Sequence, residues 1–379
     1  MRRAIGAAAL VAAAAALCLA TGCTPPNRYS QEDLQRDLDA IRNSGTVGVQ
    51  AQVTGPGDEV LVATSGVGDL EARAPVPVNG HYRVGSTTKT FVATVVLQLV
   101  AEGALSLDDS VEQHLPGVLY GAYDGGAVSV RDLLRHTSGI YDYNNDGDWN
   151  PFVSAERFAQ RRDHRYHAAE LVAVAMRHPP RFPPGTEWAY SNTNYVLTGM
   201  VIEAVTGNPW QDEVVSRIIE PLRLSGTSIP VGTELPAPHA QGYQQFEQGG
   251  RLVDATRLDP SAGDAGGAMI STPADMTRFF QALLGGELLP PVQLAAMQDT
   301  VPEPGGRYGL GLAWSELTCG GGYWRHGGAV PGWLSAEGFS PDGASGVVLS
   351  LSSLHNDPRR DTEQRTAVST LIDNVLCAS

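Results

Sequence analysis

A single lysine, Lys89, stands in this chain of 379 residues, three positions after Ser86 and just before a long apolar segment. Residues i and i+3 share one face of a helix, so Ser86 and Lys89 are predicted to point into one cleft. The segment from Phe91 to Val100 is apolar on nearly every side. Such a helix has no polar face to turn towards water. The rest of the fold is therefore expected to surround it, with Lys89 partly dehydrated near its start.

This placement gives the Ser86–Lys89 pair a chemical meaning. A dehydrated lysine can lose its proton near neutral pH, whereas an arginine effectively never does. Because all the other Lys+Arg positions are arginine, position 89 is expected to need an amine that titrates. Lys89 is predicted to take or relay the proton of Ser86, the candidate nucleophile. The alternative is an ordinary surface lysine near a helix start, since the pattern S-x-x-K alone is weakly specific.

The N-terminal residues indicate export. Arg2 and Arg3 precede an uncharged apolar segment, residues 4–19, which is shorter than the ~18 or more residues of a membrane-spanning helix. Residues 1–22 are predicted to be a signal peptide. Cys23 follows small residues, as a lipid-modified cysteine does, and residues 23–29 are predicted to be a tether. We expect a cell-surface lipoprotein with this anchor as its only membrane contact; the alternative is ordinary cleavage and secretion.

Export also bears on the remaining cysteines. Once Cys18 and Cys23 are set aside, Cys319 and Cys377 are left. Two cysteines in an oxidising compartment are predicted to form a disulfide, and two buried free thiols are the alternative. The net charge of −15, without a compensating basic cluster, argues against nucleic acid as a partner. A monomer is expected.

Hydrophobic patterns change along the chain, with strands predicted near both ends and helices between them. The predicted strands are Thr46–Val53, Val60–Thr64, Tyr308–Trp314, Gly322–Arg325, Leu334–Phe339 and Gly346–Leu351. The clearest predicted helices are Val130–Arg135, Ala168–Arg177, Thr193–Thr206 and Pro273–Leu284, with a final helix over about 361–376. This order predicts an α/β protein of the α+β type, in which an antiparallel sheet built from both chain ends is flanked by helices. One catalytic domain is expected over residues 30–379, with an inserted, mostly helical lobe at about 105–305 and the active site at the seam.

Two further motifs supply polar groups for a site. In an extended chain residues i and i+2 face the same way, so Tyr190 and Asn192 are both predicted to face Ser86. The phenol would accept or donate a proton and the amide would orient by hydrogen bonding; ordinary turn chemistry is the alternative. His326 directly follows a predicted strand and precedes two glycines that let a substrate lie against the backbone. A glycine-rich turn with a surface histidine is the alternative there.

In this order the motifs resemble those of the penicillin-recognising serine hydrolases. The chain is most similar to the extracellular D-alanyl-D-alanine carboxypeptidases of the class C β-lactamase type, from Tyr82 to Cys377. The segments Leu134–Tyr143 and Tyr308–Leu312 belong to the same pattern. The resemblance implies a β-lactamase/transpeptidase-like fold and a serine hydrolase that uses no metal or organic cofactor. It also implies small D-Ala-D-Ala-type peptides, such as peptidoglycan stem peptides, as substrates and β-lactams as ligands.

The same resemblance implies a role for each motif. Ser86 would become acylated while Lys89 and Tyr190 handle its proton, with the identity of the general base left open. The backbone N–H groups of Ser86 and Ala329 would stabilise the oxyanion. The catalytic residues implied are Ser86, Lys89, Tyr190 and His326. The substrate-binding positions implied are Asn192, which would hold a substrate amide, and Gly327, Gly328 and Ala329.

Three positions depart from the carboxypeptidase pattern. The closest branch has an arginine where this chain has Ala313, and hydroxyl residues where it has Gly327 and Ala329. The terminal carboxylate of a substrate therefore loses its expected partners. Arg307 and Arg325 are the nearby substitutes, although strand alternation is expected to point Arg325 to the opposite face from the strand histidine.

The sequence leaves three functions open. The first is an exported serine hydrolase that acts on D-Ala-D-Ala-type peptides through an acyl-enzyme on Ser86. The second is an esterase or weak β-lactamase on the same scaffold. The third is a penicillin-binding protein that becomes acylated without turnover. His136, at a turn after a predicted helix, is predicted to be structural rather than a catalytic base.

Overall fold

We describe residues 28–57 and 59–378 in a computed structural model. The predicted signal peptide, Cys23 and the tether up to residue 27 lie outside the described residues. Within the described part of the chain, no helix combines the length and the apolar character that a membrane crossing requires.

Helices occupy the middle of the chain and both of its described ends. In chain order the α-helices α1 to α12 are Gln31–Asn43, Thr88–Ala101, Val111–His114, Val130–Arg135, Ala155–Arg161, Ala168–Ala175, Asn192–Thr206, Trp210–Val214, Glu220–Leu222, Pro273–Leu284, Pro291–Gln298 and Pro358–Cys377. Short 3-10 helices are found at Gly85–Thr87, Tyr143–Asn145, Pro260–Ala262 and Asp264–Gly266, and a π-helical turn at Val215–Ile219.

Most of the strands pair into one large sheet. The strands β1 to β13 are Gly48–Gly55, Glu59–Gly66, Tyr82–Arg83, Tyr243–Gln245, Leu252–Asp254, Ile270–Ser271, Val301–Glu303, Gly306–Tyr308, Ala313–Glu316, Gly322–Val330, Trp333–Phe339, Gly346–Leu351 and Ser353–Leu354. Among the described residues, eight of them form an antiparallel sheet in the order β2-β1-β12-β11-β10-β9-β8-β7.

The two ends of the described chain meet near one edge of this sheet. Strand β1 pairs with β12, so that Val49 lies opposite Leu351. Helices α1 and α12 bury apolar residues such as Leu34 and Leu371 against one face. The other face packs on the central core, which includes α2 and α10. The predicted fold class, an antiparallel sheet built from both ends and flanked by helices, is confirmed.

Helix α2 lies at the centre of the molecule, as its apolar sequence predicts. Nearly every side chain from Thr88 to Leu99 is buried, and Lys89 is fully buried. The ring of Phe91 stacks on Phe279 of α10, with 3.6 Å between the centroids. Ser86 itself lies in the 3-10 turn just before α2, a small departure from the expected first turn of the helix.

Two predicted strands differ from those observed by more than two residues at one end. The predicted strand Tyr308–Trp314 is wrong as a single element, because β8 ends at Tyr308 and β9 begins at Ala313. Between them Gly311 takes a left-handed conformation (φ +71°), which interrupts the extended chain. Strand β10 is longer than predicted and continues past Arg325 to Val330.

Cys319 and Cys377 form a disulfide bond. It joins the turn between β9 and β10 to the last residue of α12. Close to it, the Thr318 amide donates to Asp373 of the same helix, at 2.9 Å. The C-terminal helix is therefore attached to the sheet by a covalent bond as well as by its apolar face.

Candidate active site

Ser86 lies where the central helix approaches strand β10. Gly85 before it has a left-handed backbone (φ +54°), a conformation that glycine adopts without strain. A Cβ atom on Gly328 would lie only 2.6 Å from the Ser86 nitrogen. Glycine at position 328 is therefore what allows the strand and the nucleophile turn to come so close.

This close approach brings two backbone donors together. A Cβ atom on Gly85 would lie 2.9 Å from the Ala329 nitrogen, so Ser86 and Ala329 are neighbours across the gap. Their N–H groups are the pair expected to stabilise an oxyanion. A preorganised pair of backbone donors is suited to the charge that develops on a carbonyl oxygen during acyl transfer.

Lys89 reaches the serine from the next turn of the chain. Its Nζ lies 3.1 Å from Ser86 Oγ, 2.8 Å from Asn192 Oδ1 and 2.6 Å from the carbonyl oxygen of Gly266. Burial lowers the pKa of Lys89 to about 7, although the charge of Asp142 acts in the opposite direction. The amine can therefore lose its proton at neutral pH.

The hydrogen-bond partners of Lys89 also orient its lone pair. The carbonyl oxygens of Asn192 and Gly266 can only accept, so a neutral amine must donate both of its hydrogens to them. Its lone pair then faces the Ser86 hydroxyl, which can donate. This is the arrangement that a general base for the serine requires.

Asn192 connects Lys89 to a buried acid. Its Nδ2 donates to Asp142 Oδ2 at 3.0 Å while its Oδ1 accepts from Lys89. Burial raises the pKa of the Asp142 carboxyl. Because Nδ2 carries two hydrogens, one remains for a ligand. The predicted contact between Asn192 and a substrate amide stays a prediction.

Tyr190 is the other titratable group beside the nucleophile. Lys89 Nζ lies 4.9 Å from the centre of its ring. Burial raises the pKa of the Tyr190 phenol well above its ordinary value, with the Ser86 hydroxyl acting against the rise. The phenol is therefore protonated at neutral pH and is available as a proton donor.

His136 supports Tyr190 from behind. Its carbonyl accepts from the Ala189 amide at 3.0 Å, and its Nδ1 accepts from the Ser191 amide at 3.3 Å. The centre of the His136 imidazole lies 4.3 Å from the centre of the Tyr190 ring. Burial keeps the pKa of His136 well below its ordinary value, so the ring is neutral. This geometry fits the predicted structural role.

His326 stands on β10 beside the phenols. Its Nε2 lies 3.0 Å from the hydroxyl of Tyr308. Burial lowers the pKa of His326 to about 3, so the ring is neutral at physiological pH. It forms part of the wall of the site and carries no charge there.

A second polar cluster lies directly behind the nucleophile turn. Thr87 donates to Glu337 Oε2 at 3.0 Å, and Ser335 donates to the carbonyl of Val84 at 2.9 Å. Glu337 is almost fully buried, and burial raises the pKa of its carboxyl well above the ordinary value. These bonds attach β11 to the turn that carries Ser86.

Two cavities meet at Ser86. The larger has a volume of about 770 Å³, which includes space beside Tyr190 and His326 and space beside Arg325 and Ile372 on the α12 side of the sheet. The smaller has a volume of about 100 Å³ and is lined by Asn192 and by mostly apolar residues. The apolar lining of the smaller cavity consists of Phe152, Leu258, Pro260, Ala262, Ala268, Ala329, Val330 and Pro331.

Several of these residues were not singled out from the sequence. Asp142 lies in the segment that carries the family resemblance, so a signal existed, but no role was assigned to it. Gly266 acts through its backbone carbonyl, which leaves no side-chain signature. Glu337 lies in a largely apolar strand, 250 residues after Thr87. A pair so far apart in the sequence gives no local pattern from which it could be predicted.

Comparison with known proteins places the chain in a family. The family model described as Beta-lactamase matches residues 32–371. The protein belongs to the beta-lactamase family. It is a serine hydrolase of that fold, as the sequence motifs predicted.

The individual relatives include a penicillin-binding protein and two amide hydrolases. A putative penicillin-binding protein, PbpX of Bacillus subtilis, is 27% identical over 283 residues, which cover 75% of this chain and 64% of that protein, just under two thirds of its length. The D-stereospecific amidohydrolase from Streptomyces sp. is 41% identical, with a TM-score of 0.81, over 86% of this chain and 94% of that one. The D-amino acid amidase from Ochrobactrum anthropi SV3, solved with L-phenylalanine amide, is 30% identical, with a TM-score of 0.78, over 91% and 97%.

Proposed function

We propose that this protein is a D-stereospecific serine amidohydrolase. It would transfer a D-aminoacyl group from an amide or short peptide to water through an acyl-enzyme on Ser86. The observation that carries the proposal is the unequal size of the two cavities that meet at this serine. The D-stereospecificity rests on the similarity to the amidohydrolase and the amidase named above.

Acylation would use the polar groups around Ser86 in turn. Neutral Lys89 accepts the hydroxyl proton as Ser86 Oγ bonds to the carbonyl carbon of the substrate. The N–H groups of Ser86 and Ala329 stabilise the oxyanion. The Tyr190 phenol then gives its proton to the leaving nitrogen as the C–N bond breaks, and regains one from the Lys89 ammonium. Water then attacks the acyl carbon and gives a proton to neutral Lys89, which passes it to Ser86 Oγ as the ester C–O bond breaks and the acid is released.

The position of Tyr190 assigns the two cavities. A general acid must face the leaving group. Tyr190 lines the larger cavity and is absent from the described lining of the smaller one. The leaving group would therefore occupy the larger cavity and the acyl group the smaller. An engineered cavity of about 150 Å³ admits benzene. A cavity of about 100 Å³ suits one apolar side chain rather than a peptide.

This assignment favours an amidase over the carboxypeptidase expected from the family resemblance. A carboxypeptidase needs space for a long acyl peptide and a grip on the terminal carboxylate of its leaving residue. Ala313, Gly327 and Ala329 offer no charged or hydroxyl side chain for that grip. D-Ala-D-Ala carboxypeptidase activity is the alternative that the experiment below must separate.

A substrate panel tests the proposal. We expect D-alaninamide to be hydrolysed over many turnovers, and its L form at least about 100-fold more slowly. Ser86→Ala should abolish the reaction. An N-blocked tripeptide ending in D-Ala-D-Ala should be poor, because its acyl part exceeds the smaller cavity.

Each alternative predicts a different result in the same panel. A blocked tripeptide hydrolysed more than about tenfold faster than the amides would favour the carboxypeptidase. Faster turnover of a p-nitrophenyl ester or of nitrocefin than of any amide would favour the esterase or β-lactamase. Stoichiometric acylation by penicillin without turnover of any substrate would favour the penicillin-binding role.

A further inference from the structure

Few charged groups face the larger cavity. Among the described residues that line it, the arginines are Arg325 and Arg365. Arg365 pairs with Asp361 on its own helix, at 2.9 Å. Glu303 supplies a carboxylate, and Glu337 is the other acid in the wall. Apart from the Arg365–Asp361 pair and the buried Glu337, the charges that face this cavity are therefore those of Arg325 and Glu303.

Arg325 reaches this cavity because strand β10 becomes a free edge beside it. Strand β9 pairs with β10 only as far as the Ala313–Arg325 pair. Beyond that pair the edge of β10 is open, and the cavity extends along both sides of the strand. Both His326 and Arg325 therefore line the cavity, although their side chains point to opposite faces of the sheet. The alternation expected from the sequence is retained, but it does not remove Arg325 from the site.

The guanidinium of Arg325 is held at one end and open at the other. Its Nη2 donates to Glu303 Oε1 at 2.7 Å, and its Nε donates to Ser315 Oγ at 2.6 Å. Its Nη1 has no hydrogen-bond partner among the described residues. Arg325 remains 29% exposed and Glu303 12% exposed in their side chains. A donor is therefore free to meet a ligand, on a cation whose charge is already compensated.

We propose that Glu303 is a specificity-determining residue: its carboxylate neutralises Arg325, so that the cavity accepts uncharged leaving groups and gains little from a terminal carboxylate. Nη1 donates to a neutral carbonyl oxygen of the leaving group, such as that of an amide or a following peptide bond. An unpaired arginine would instead prefer a carboxylate, because the opposite charge adds electrostatic attraction and the two oxygens can accept from the guanidinium in a bidentate pair. This inference rests on the proposed function, because it concerns the leaving-group side of the same site.

The test removes the charge of Glu303 and keeps its shape. Glu303→Gln retains an acceptor for Arg325 but leaves the guanidinium uncompensated. The substrates are two matched pairs of an acid and its amide. The first pair is D-Ala-D-Ala and D-Ala-D-Ala-amide. In the second pair one glycine is inserted before the C-terminal residue, which lengthens the leaving group. The ratio of kcat/KM for the acid to that for the amide should be below about tenfold in the wild type. In Glu303→Gln it should rise at least about tenfold for one of the two lengths.

Two further variants identify the cause. Adding Arg325→Gln to Glu303→Gln should return the ratio to the wild-type value. The matched control is Glu287→Gln, which removes the acid from another glutamate–arginine pair, with Arg278 at 2.7 Å, away from the cavity. It should leave the ratio unchanged.

The outcomes separate the two proposals. An unchanged ratio in Glu303→Gln at both lengths, with amide turnover retained, overturns the role of Glu303 and leaves the proposed function standing. A wild type that turns over none of these substrates and no D-amino acid amide contradicts the proposed function. In that case the role of Glu303 is decided by whether free D-alanine raises the thermal unfolding temperature. It should raise that of Glu303→Gln and leave that of the wild type unchanged. An equal rise in both proteins overturns the role of Glu303.

Discussion

At the scale of single residues, the chemistry depends on Lys89, whose amine is buried among three hydrogen-bond acceptors. A carboxylate in direct contact would hold this amine protonated, because an opposite charge favours the charged form. Asp142 is the nearby acid, and the amide of Asn192 stands between it and the lysine. Because Asp142 is kept at this distance, the effect of burial exceeds the attraction between Asp142 and the lysine. Burial therefore lowers the pKa of Lys89 to about 7.

Replacing Lys89 by arginine tests this explanation. Lys89→Arg should lower kcat/KM by about 100-fold or more, since the positive charge stays and the titratable amine is lost. In the wild type the amine is neutral above its pKa of about 7 and protonated below it. Wild-type kcat/KM should therefore fall by about tenfold per pH unit below that value, and the arginine variant should lack this dependence. The measurement is steady-state kinetics on a D-amino acid amide from pH 5 to 9.

The control for this variant is its thermal unfolding, which shows whether the larger guanidinium is accommodated in the fold. A folded Lys89→Arg protein that acylates as fast as the wild type would contradict proton transfer by Lys89. So would a wild-type rate that stays constant from pH 5 to 8.

Residue-scale predictions succeed where the chemistry lies in a short local pattern. The spacing of Ser86 and Lys89 within one helical turn places the two side chains together, and the extended segment at Tyr190 brings its phenol beside them. The surroundings of Asn192 could not be predicted in this way. Its contacts with Lys89 and Asp142 join segments 50 and 103 residues away, and only the tertiary fold brings such segments together.

At the scale of elements, strand β10 and the nucleophile turn must touch backbone to backbone. Side chains would normally separate a strand from a helix packed on it. Here the Ser86 nitrogen lies so close to Gly328 that a Cβ atom would stand 2.6 Å away. The contact brings the Ala329 amide to the nucleophile. Ser335 and Glu337 on the next strand hold the same turn by hydrogen bonds.

A methyl group at position 328 should therefore impair catalysis more than folding. Gly328→Ala should lower kcat/KM by about 100-fold, the range seen when one oxyanion donor is lost, because β10 must move away from Ser86. Overpacking of this kind typically costs about 1–3 kcal/mol in the free energy of unfolding. Acylation kinetics and thermal unfolding of the same variant measure the two effects.

Gly55→Ala is the matched control for this variant. Gly55 is also a strand glycine, but the nearest atom to an added Cβ there lies 3.9 Å away, so activity should be unchanged. If Gly328→Ala acylates at the wild-type rate, the proposed pairing of the Ser86 and Ala329 amides is wrong.

Element predictions were most accurate where caps and periodicity agree. The helix Pro273–Leu284 has Thr272 as its N-cap, and its bounds agree with the prediction. The segment from Tyr308 to Trp314 reads as one apolar strand. Its break arises because Gly311 lies against Ala93 and Tyr195 of the central core. A tertiary contact of that kind leaves no trace in local hydrophobicity.

At the scale of the whole molecule, the fold depends on contacts between distant parts of the chain. The sheet is complete only when β1 pairs with β12, about 300 residues later in the sequence. The apolar side chains of α1 and α12 then form one cluster on that sheet, with Leu34, Leu38 and Leu371 fully buried. Strands at both ends of a chain predict that the two ends share a sheet. The register between β1 and β12 depends on which side chains pack together, and the sequence alone does not give that.

The disulfide between Cys319 and Cys377 reinforces this closure, and its removal is the last prediction. It closes a loop of 58 residues, for which the chain-entropy account gives a stabilisation of about 4 kcal/mol. A variant with both Cys319→Ser and Cys377→Ser should lose up to that amount in the free energy of unfolding, measured by urea titration. Neither cysteine lines the cavities at Ser86, so kcat/KM per folded molecule should stay within about twofold. Reduction of the wild type should reproduce the loss, and the double variant should be indifferent to reductant. A loss below about 1 kcal/mol would mean that the apolar face of α12, with Leu371 and Ile372, holds the C-terminal helix on the sheet without the covalent bond.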